Sequence, residues 1–181
     1  IRLTIEEWKN QNLIDENEYF YLLASLIEAI PYVSNIAGVY GAYLKFWDNR
    51  SYRKLELKEP FLVLNDSKAI IYNTDSNELI RDIEMDLCYM DPPYNQRQYL
   101  PNYHLLETVA KYDYPEIKGV TGMRDYSDQR SDYCIKSNVE TVFEDFIKNV
   151  KSRYIILSYN TEGLLSSDYI KDILTKYGKE E

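Results

Sequence analysis

The chain has 181 residues, 45% of them hydrophobic, which suits one domain with a real core and excludes a disordered chain. Its formal net charge of −9 argues against a protein whose whole surface grips nucleic acid, because phosphates are held by Lys and Arg. No apolar run is long enough to span a bilayer, and no signal-peptide pattern opens the chain.

The two cysteines, Cys88 and Cys134, have neither metal-ligand spacing nor a disulfide framework, so a reduced, cytoplasmic protein without a metal site is expected. The first residue is Ile1, not Met, and the last are Lys179-Glu180-Glu181, soon after an expected helix. Both ends look cut, and a fragment of a longer protein is expected. Nineteen tyrosines are many for this length, but tyrosine packs, hydrogen-bonds and stacks, so the count alone decides nothing.

The N-terminal part reads as helical. Thr4-Ile5-Glu6-Glu7 and Asp15-Glu16-Asn17-Glu18 both resemble capping boxes. After the second, Phe20, Leu22, Leu23, Leu26, Ile27 and Ile30 recur at helical spacing until Pro31. A further helical stretch is expected around Tyr40, Tyr43, Leu44 and Trp47.

From Phe61 the character changes, which divides the chain into a helical segment 1–60 and an α/β part 61–181. Phe61-Leu62-Val63-Leu64 and Ala69-Ile70-Ile71-Tyr72 read as short strands around the turn-forming Asn65-Asp66-Ser67. Asp75-Ser76-Asn77-Glu78 reads as a capping box, and Leu87-Cys88-Tyr89-Met90 as a buried strand that delivers Asp91. A helix follows near Pro101 to Lys111, then a long polar loop with Gly119, Gly122, Arg124 and Arg130. Ser137-Asn138-Val139-Glu140 should cap a helix whose apolar face is Val139, Val142, Phe143, Phe146, Ile147 and Val150. Ile155-Ile156-Leu157 is the next strand, and a last helix starts near Ser167-Asp168.

From Ala69 onward, strands alternate with helices, which favours a parallel sheet with right-handed crossovers. Ligands bind such sheets outside the carboxyl ends of the strands. Three expected strands end in polar residues: Asn73 and Asp75, then Asp91-Pro92-Pro93-Tyr94-Asn95, then Ser158-Tyr159-Asn160. If parallel, they share one rim. Each group also has a plainer use. The prolines stop a strand, Asp75 caps a helix, and Ser158-Tyr159-Asn160 leaves a strand.

Asp91-Pro92-Pro93-Tyr94 after an apolar strand resembles motif IV of the amino-group methyltransferases. With Asp first, it is most similar to the D12 class of N6-adenine DNA methyltransferases, related to the Dam enzymes. The wider resemblance runs from about Ile70 to about Leu165, through Tyr72-Asn73-Thr74-Asp75, Tyr94-Asn95-Gln96-Arg97-Gln98-Tyr99 and Ser158-Tyr159-Asn160-Thr161-Glu162-Gly163. It implies a Rossmann-like sheet, incomplete here, and methylation of adenine N6 in double-stranded DNA by S-adenosylmethionine. It also implies a restriction-modification system, with a cognate endonuclease acting on the same site.

The chemistry explains the residue types. The adenine amino nitrogen is a poor nucleophile, because its lone pair is delocalised into the ring. The Asp91 carboxylate and the Pro92 carbonyl supply acceptors for its N–H groups and favour a more tetrahedral nitrogen. Pro92 and Pro93 stiffen the turn and leave carbonyls free. Tyr94 is placed to stack on a base taken out of the duplex.

By resemblance, Asp75, with Asn73 beside it, contacts the adenosine part of the cofactor, and Asp91 borders it. Asn95, Arg97, Tyr99 and Arg124 are candidate DNA contacts. Lys118 and Arg130 also lie in or near expected loops, where solvated surface charge is the plain alternative. His104 is read as packing or surface, and Cys88 as core. The family's Phe-x-Gly-x-Gly cofactor loop is not formed by any of the six glycines. The chain alone is therefore expected to bind S-adenosylmethionine weakly or not at all. Two alternatives stay open: a catalytically silent DNA-binding or assembly subunit, and methylation of another acceptor such as RNA.

Overall fold

A computed structural model describes residues 1–63 and 68–179 and divides the chain into two units. The first comprises Ile1–Ser67 and Tyr99–Asp128, and the second Lys68–Gln98 and Gln129–Glu181.

The first unit is mainly helical. Helix α1 spans Arg2–Asn10 and α2 spans Glu16–Ala29. Asp15 caps α2 as expected: its carboxylate accepts from the Glu18 N–H, and Glu18 accepts from the Asp15 N–H. The Thr4 box does not form, because α1 begins at Arg2 and Thr4 lies inside it. An ion pair holds that first turn instead. Arg2 reaches Glu6 at 2.7 Å and the Val109 carbonyl at 2.8 Å, and the Arg2 hydrogen bond holds the Glu6 carboxyl below its ordinary range.

Pro31 acts as expected. Helix α2 stops at Ala29 and gives way to one 3-10 turn, Ile30–Tyr32. The helix expected around Tyr40 to Trp47 is absent, and the segment runs in turns and bends. Gly38 has φ +89°, and the Tyr40 N–H donates to the Asn102 carbonyl at 2.8 Å rather than within a helix. Helix α4, numbered after the short helix α3 (Ser76–Leu79) of the second unit, spans Tyr99–Lys111 with a kink at Tyr103. Its Leu106 and Val109 pack on a core of Ile5, Tyr19, Leu23, Leu26, Ile36 and Tyr40. The expected loop after it contains a small antiparallel pair, β2 (Ile117–Lys118) and β3 (Met123–Arg124).

The second unit holds the parallel sheet. Strand β1 spans Glu84–Met90 and β4 spans Lys151–Leu157, in register from Glu84 opposite Lys151 to Met90 opposite Leu157. Helices α5 (Val139–Asn149) and α6 (Ser167–Tyr177) bury Phe143, Phe146, Ile147 and Ile173 with Cys88 and Met90. The face expected for α5 is the one that packs. Its expected cap does not form. The Ser137 hydroxyl donates to the Asn138 side chain, and Asn138, the N-cap, makes no side-chain cap bond.

Two expected strands are missing. Residues 61–63 and 69–72 form neither helix nor strand, while Leu64 and the turn Asn65-Asp66-Ser67 lie outside the described residues. Ile70 and Ile71 are 70% and 90% exposed, so among the described residues no packing supports a strand there. Among the described residues the parallel sheet has two strands, fewer than the expected alternation implies. No described helix is long and apolar enough to cross a membrane.

Candidate active site

The parallel pairing puts two polar strand ends side by side. Beyond the last paired residues the ladder takes one more step, as the Ser158 N–H donates to the Met90 carbonyl at 2.8 Å. Asp91 therefore leaves β1 where Ser158 leaves β4. The loop after β4 then folds back, and the Leu164 N–H donates to the Tyr94 carbonyl at 2.8 Å. That bond uses a carbonyl of the turn, in which the prolines offer no N–H. Asp91 is exposed, Pro92 and Pro93 are half-buried, and the Tyr94 ring is 39% exposed, open to a planar ligand.

The returning loop is built around Asn160 and Tyr159. The Asn160 side chain accepts from the Glu162 N–H at 2.8 Å, and the Tyr159 hydroxyl accepts from the Leu165 N–H at 3.2 Å. A Cβ at Gly163 would stand 2.9 Å from both the Asn160 carbonyl oxygen and Cζ of Tyr159, so glycine is required by close approach. Leu165 is buried at the end of this loop.

The segment after the motif is also tied down. The Asn95 side chain accepts from the Arg97 N–H at 2.9 Å. Gln98 brackets Ser131: its amide donates to the Ser131 carbonyl at 2.9 Å and accepts from the Ser131 N–H at 2.8 Å. The Cys134 thiol donates to the Arg97 carbonyl at 3.3 Å. Burial pushes the thiols of Cys88 and Cys134 up, which favours the protonated form over the reactive thiolate. Ser131 was not singled out from sequence, and Gln98 and Tyr159 stood in the quoted stretches without these partners being foreseen.

The third polar group reaches the unit differently. Asn73 and Asp75 are exposed and leave no strand, which corrects the three-strand rim to two strand ends. Asp75 caps the short helix α3 (Ser76–Leu79), its Oδ1 accepting from the N–H groups of Asn77 and Glu78. Asn77 docks α3 on α5 through the Val142 carbonyl at 2.8 Å and Asp145 at 2.9 Å, and it accepts from the Tyr133 hydroxyl at 3.0 Å. Burial pushes the Tyr133 phenol well up, keeping it a donor.

The candidate DNA contacts divide between the units. Asn95 and Arg97 belong to the second, Tyr99 and Arg124 to the first. Tyr99 is 54% exposed and stacks on Tyr103 at 6.5 Å. Arg124 is only 7% exposed and binds Asp113 through two nitrogens, at 3.0 and 2.5 Å. The pairing holds the Asp113 carboxyl low and raises Arg124 further. A structural ion pair thus occupies the side chain expected to meet DNA. His104 is buried with its ring nitrogens against the carbonyls of Pro101 and Thr121. Among the described residues, no group of three or more His, Cys, Asp or Glu is arranged to hold a metal.

The comparisons with known proteins agree with the motif. The chain is 51% identical over 181 residues to Type II methyltransferase M.FokI of Planomicrobium okeanokoites, covering all of this chain and 28% of that protein. It is 48% identical over 177 residues to Modification methylase StsI of Streptococcus sanguinis, covering 98% of this chain and 27% of that protein. It is 46% identical over 179 residues to Type II methyltransferase M.NlaIII of Neisseria lactamica, covering 99% of this chain and 53% of that protein. The chain thus spans between about a quarter and half of these relatives' length. No solved structure gives a significant match. The profile of the D12 class N6 adenine-specific DNA methyltransferases matches residues 2–173, and the chain belongs to that family.

Proposed function

We propose that this chain serves site-specific methylation of adenine N6 in double-stranded DNA, with S-adenosylmethionine as donor, in a restriction-modification system. The observation that supports it best is the position of Asp91-Pro92-Pro93-Tyr94 at the carboxyl end of β1, beside the end of β4. The relatives' names, Type II methyltransferase and Modification methylase, agree with it. A cognate endonuclease of the same site is the partner such a system needs.

Each residue has a role in this proposal. The Asp91 carboxylate and the Pro92 carbonyl accept from the adenine amino group and hold its lone pair toward the donor. Pro93 keeps the turn rigid, and Tyr94 stacks on the everted base. Asn95, Arg97 and Tyr99 are the remaining candidate contacts to DNA. Segment 1–60 serves target recognition and 61–181 the catalytic part. Residues 99–128 pack within the first unit.

S-adenosylmethionine supplies a methyl group on a positively charged sulfur. Asp75 fits a polar hydroxyl of such a cofactor, because its Oδ2 makes no hydrogen bond among the described residues. Asp75, Asn73 and Asp91 would hold it, while the glycine-rich loop is not in this sequence.

The test is a labelled-methyl assay of the full-length enzyme on DNA, RNA and protein. Label in adenine of duplex DNA is expected. Label only in RNA or protein, or none at all, would overturn the proposal.

A further inference from the structure

The first unit carries a cleft of about 380 Å³ lined by Tyr40, Tyr43, Lys45, Trp47, His104 and Thr121. That volume is in the range of sites for small planar ligands. Its wall is fixed. His104 is 2% exposed, with Nε2 2.8 Å from the Thr121 carbonyl and Nδ1 3.2 Å from the Pro101 carbonyl. The Tyr40 N–H is held by the Asn102 carbonyl.

One group in this wall is poorly satisfied. Tyr40 is 7% exposed, and among the described residues its buried hydroxyl has the Ser34 hydroxyl beside it but no hydrogen bond of good geometry. Ser34, which also lines the cleft, donates its hydroxyl to the Ile30 carbonyl. A buried polar group left poorly satisfied is costly unless a ligand completes it.

The segment that supplies Tyr43, Lys45 and Trp47 to this cleft has an independent signature, carried also by neighbours that do not line it. Tyr43, Phe46, Trp47 and Tyr52 are 63%, 84%, 69% and 73% exposed. Residues 43–54 carry four basic side chains (Lys45, Arg50, Arg53 and Lys54) against one acid, Asp48, in a chain of charge −9. Arg50 is spent on Asp48, but Lys45, Arg53 and Lys54 are exposed and make no ion pair among the described residues. Aromatic platforms interleaved with cations fit unstacked bases and their phosphates.

Resting on the reading that the substrate is DNA, we propose that this cleft receives an unstacked base of that DNA. Tyr43 and Trp47 stack on it, the Tyr40 hydroxyl bonds its edge, and Lys45, Arg53 and Lys54 meet the flanking phosphates. The charge of segment 43–54 commits the occupant to nucleic acid rather than to a neutral protein surface.

The experiment uses the full-length enzyme and fluorescence-labelled duplexes, one with the methylation site and others with single-base changes. Trp47→Ala is expected to weaken site binding about tenfold, the scale of one lost base stack. Tyr40→Phe should lower discrimination between the site and its single-base variants by about tenfold. Lys45→Ala with Arg53→Ala should flatten the salt dependence of binding. Leu3→Ala, 57% exposed on the same unit, should bind as the parent enzyme does. If Tyr40→Phe does not fold, the exposed Trp47 decides alone. If the parent enzyme methylates DNA while Trp47→Ala binds and discriminates like it, the inference falls and the methylation reading stands. Trp47→Ala that loses only a bound protein partner also overturns it. A parent enzyme that methylates no DNA overturns both.

Discussion

Ala69-Ile70-Ile71-Tyr72 and Leu87-Cys88-Tyr89-Met90 look alike as sequence, yet only the second is a strand. Leu87 to Met90 pair residue by residue with Tyr154 to Leu157, and α5 covers one face, leaving Cys88 and Met90 each 6% exposed. Ile70, Ile71 and Tyr72 are 70%, 90% and 52% exposed. An apolar, β-branched run satisfies local preference, but its N–H and C=O groups still need a neighbouring strand. A strand is therefore a partnership, and the comparison separates a run that has its partner from one that has none among the described residues. The same difference separates Asp91, held at the end of a ladder, from Asp75, held by a helix cap.

The largest expected effect is on chemistry. In the full-length enzyme, Asp91→Asn should lower the methylation rate by about 10²–10⁴, the range for losing a positioned acceptor of the reacting proton, while the melting temperature stays within a few degrees. Asp75→Ser keeps a capping oxygen, so it should leave stability nearly unchanged and raise the KM for the methyl donor more than it lowers kcat. Near-normal rates in Asp91→Asn would remove the distinction between the two acids.

Next comes packing. Phe143 is fully buried beneath β1, and Phe143→Ala should cost about 3–5 kcal/mol in denaturant unfolding of this chain. Ile71→Ser should change stability by less than about 0.5 kcal/mol, as at other exposed positions. A large loss for Ile71→Ser would mean that the first run is packed after all. Gly163→Ala should cost about 1–3 kcal/mol, because its Cβ must displace Tyr159 or the Asn160 carbonyl. Changes in the Tyr159 environment by NMR would report that displacement, and an unperturbed Tyr159 would count against it.

Where local signals and tertiary partners agree, the sequence was legible. The α5 face from Val139 to Ile147 read correctly because helical period and burial coincide there. The Asp15 box read correctly because both of its bonds are local. The Asp-Pro-Pro-Tyr turn was placed at a strand end because the apolar run Leu87 to Met90 leads directly into it. Errors arose where distant partners decide. The Tyr40 backbone is bound by Asn102, 62 positions away, so helical spacing from Tyr40 to Trp47 was misleading. Arg124 looked like a loop cation, but Asp113 occupies it. The Gln98 bracket on Ser131 and the Leu164 bond to Tyr94 are non-local amide contacts, with no periodicity to announce them.

The smallest effect concerns what holds the Asp75 end of the unpaired run. Helix α3 is fastened to α5 through Asp145, which accepts from Asn77 at 2.9 Å, from Arg81 at 2.7 and 2.8 Å, and from Asn149 at 3.0 Å. The Asn77 bond first, then Arg81, holds the Asp145 carboxyl below its ordinary range despite some desolvation. A folded value below the unfolded one gives stability that is full above the unfolded value, about 4, and lost as pH falls through the folded one. Other carboxylates behave similarly, so the measurement is the stability gap between the parent chain and Asp145→Asn, followed by urea unfolding from pH 7 down to about pH 2.5. Arg81 and Asp145 are 48% and 34% exposed, so water screens the pair and the gap at neutral pH should be no more than about 1 kcal/mol. It should close on acidification. A gap that stays constant with pH would show that α3 is held by the neutral Asn77 contacts alone, and that the Asp75 end of the run owes nothing to charge.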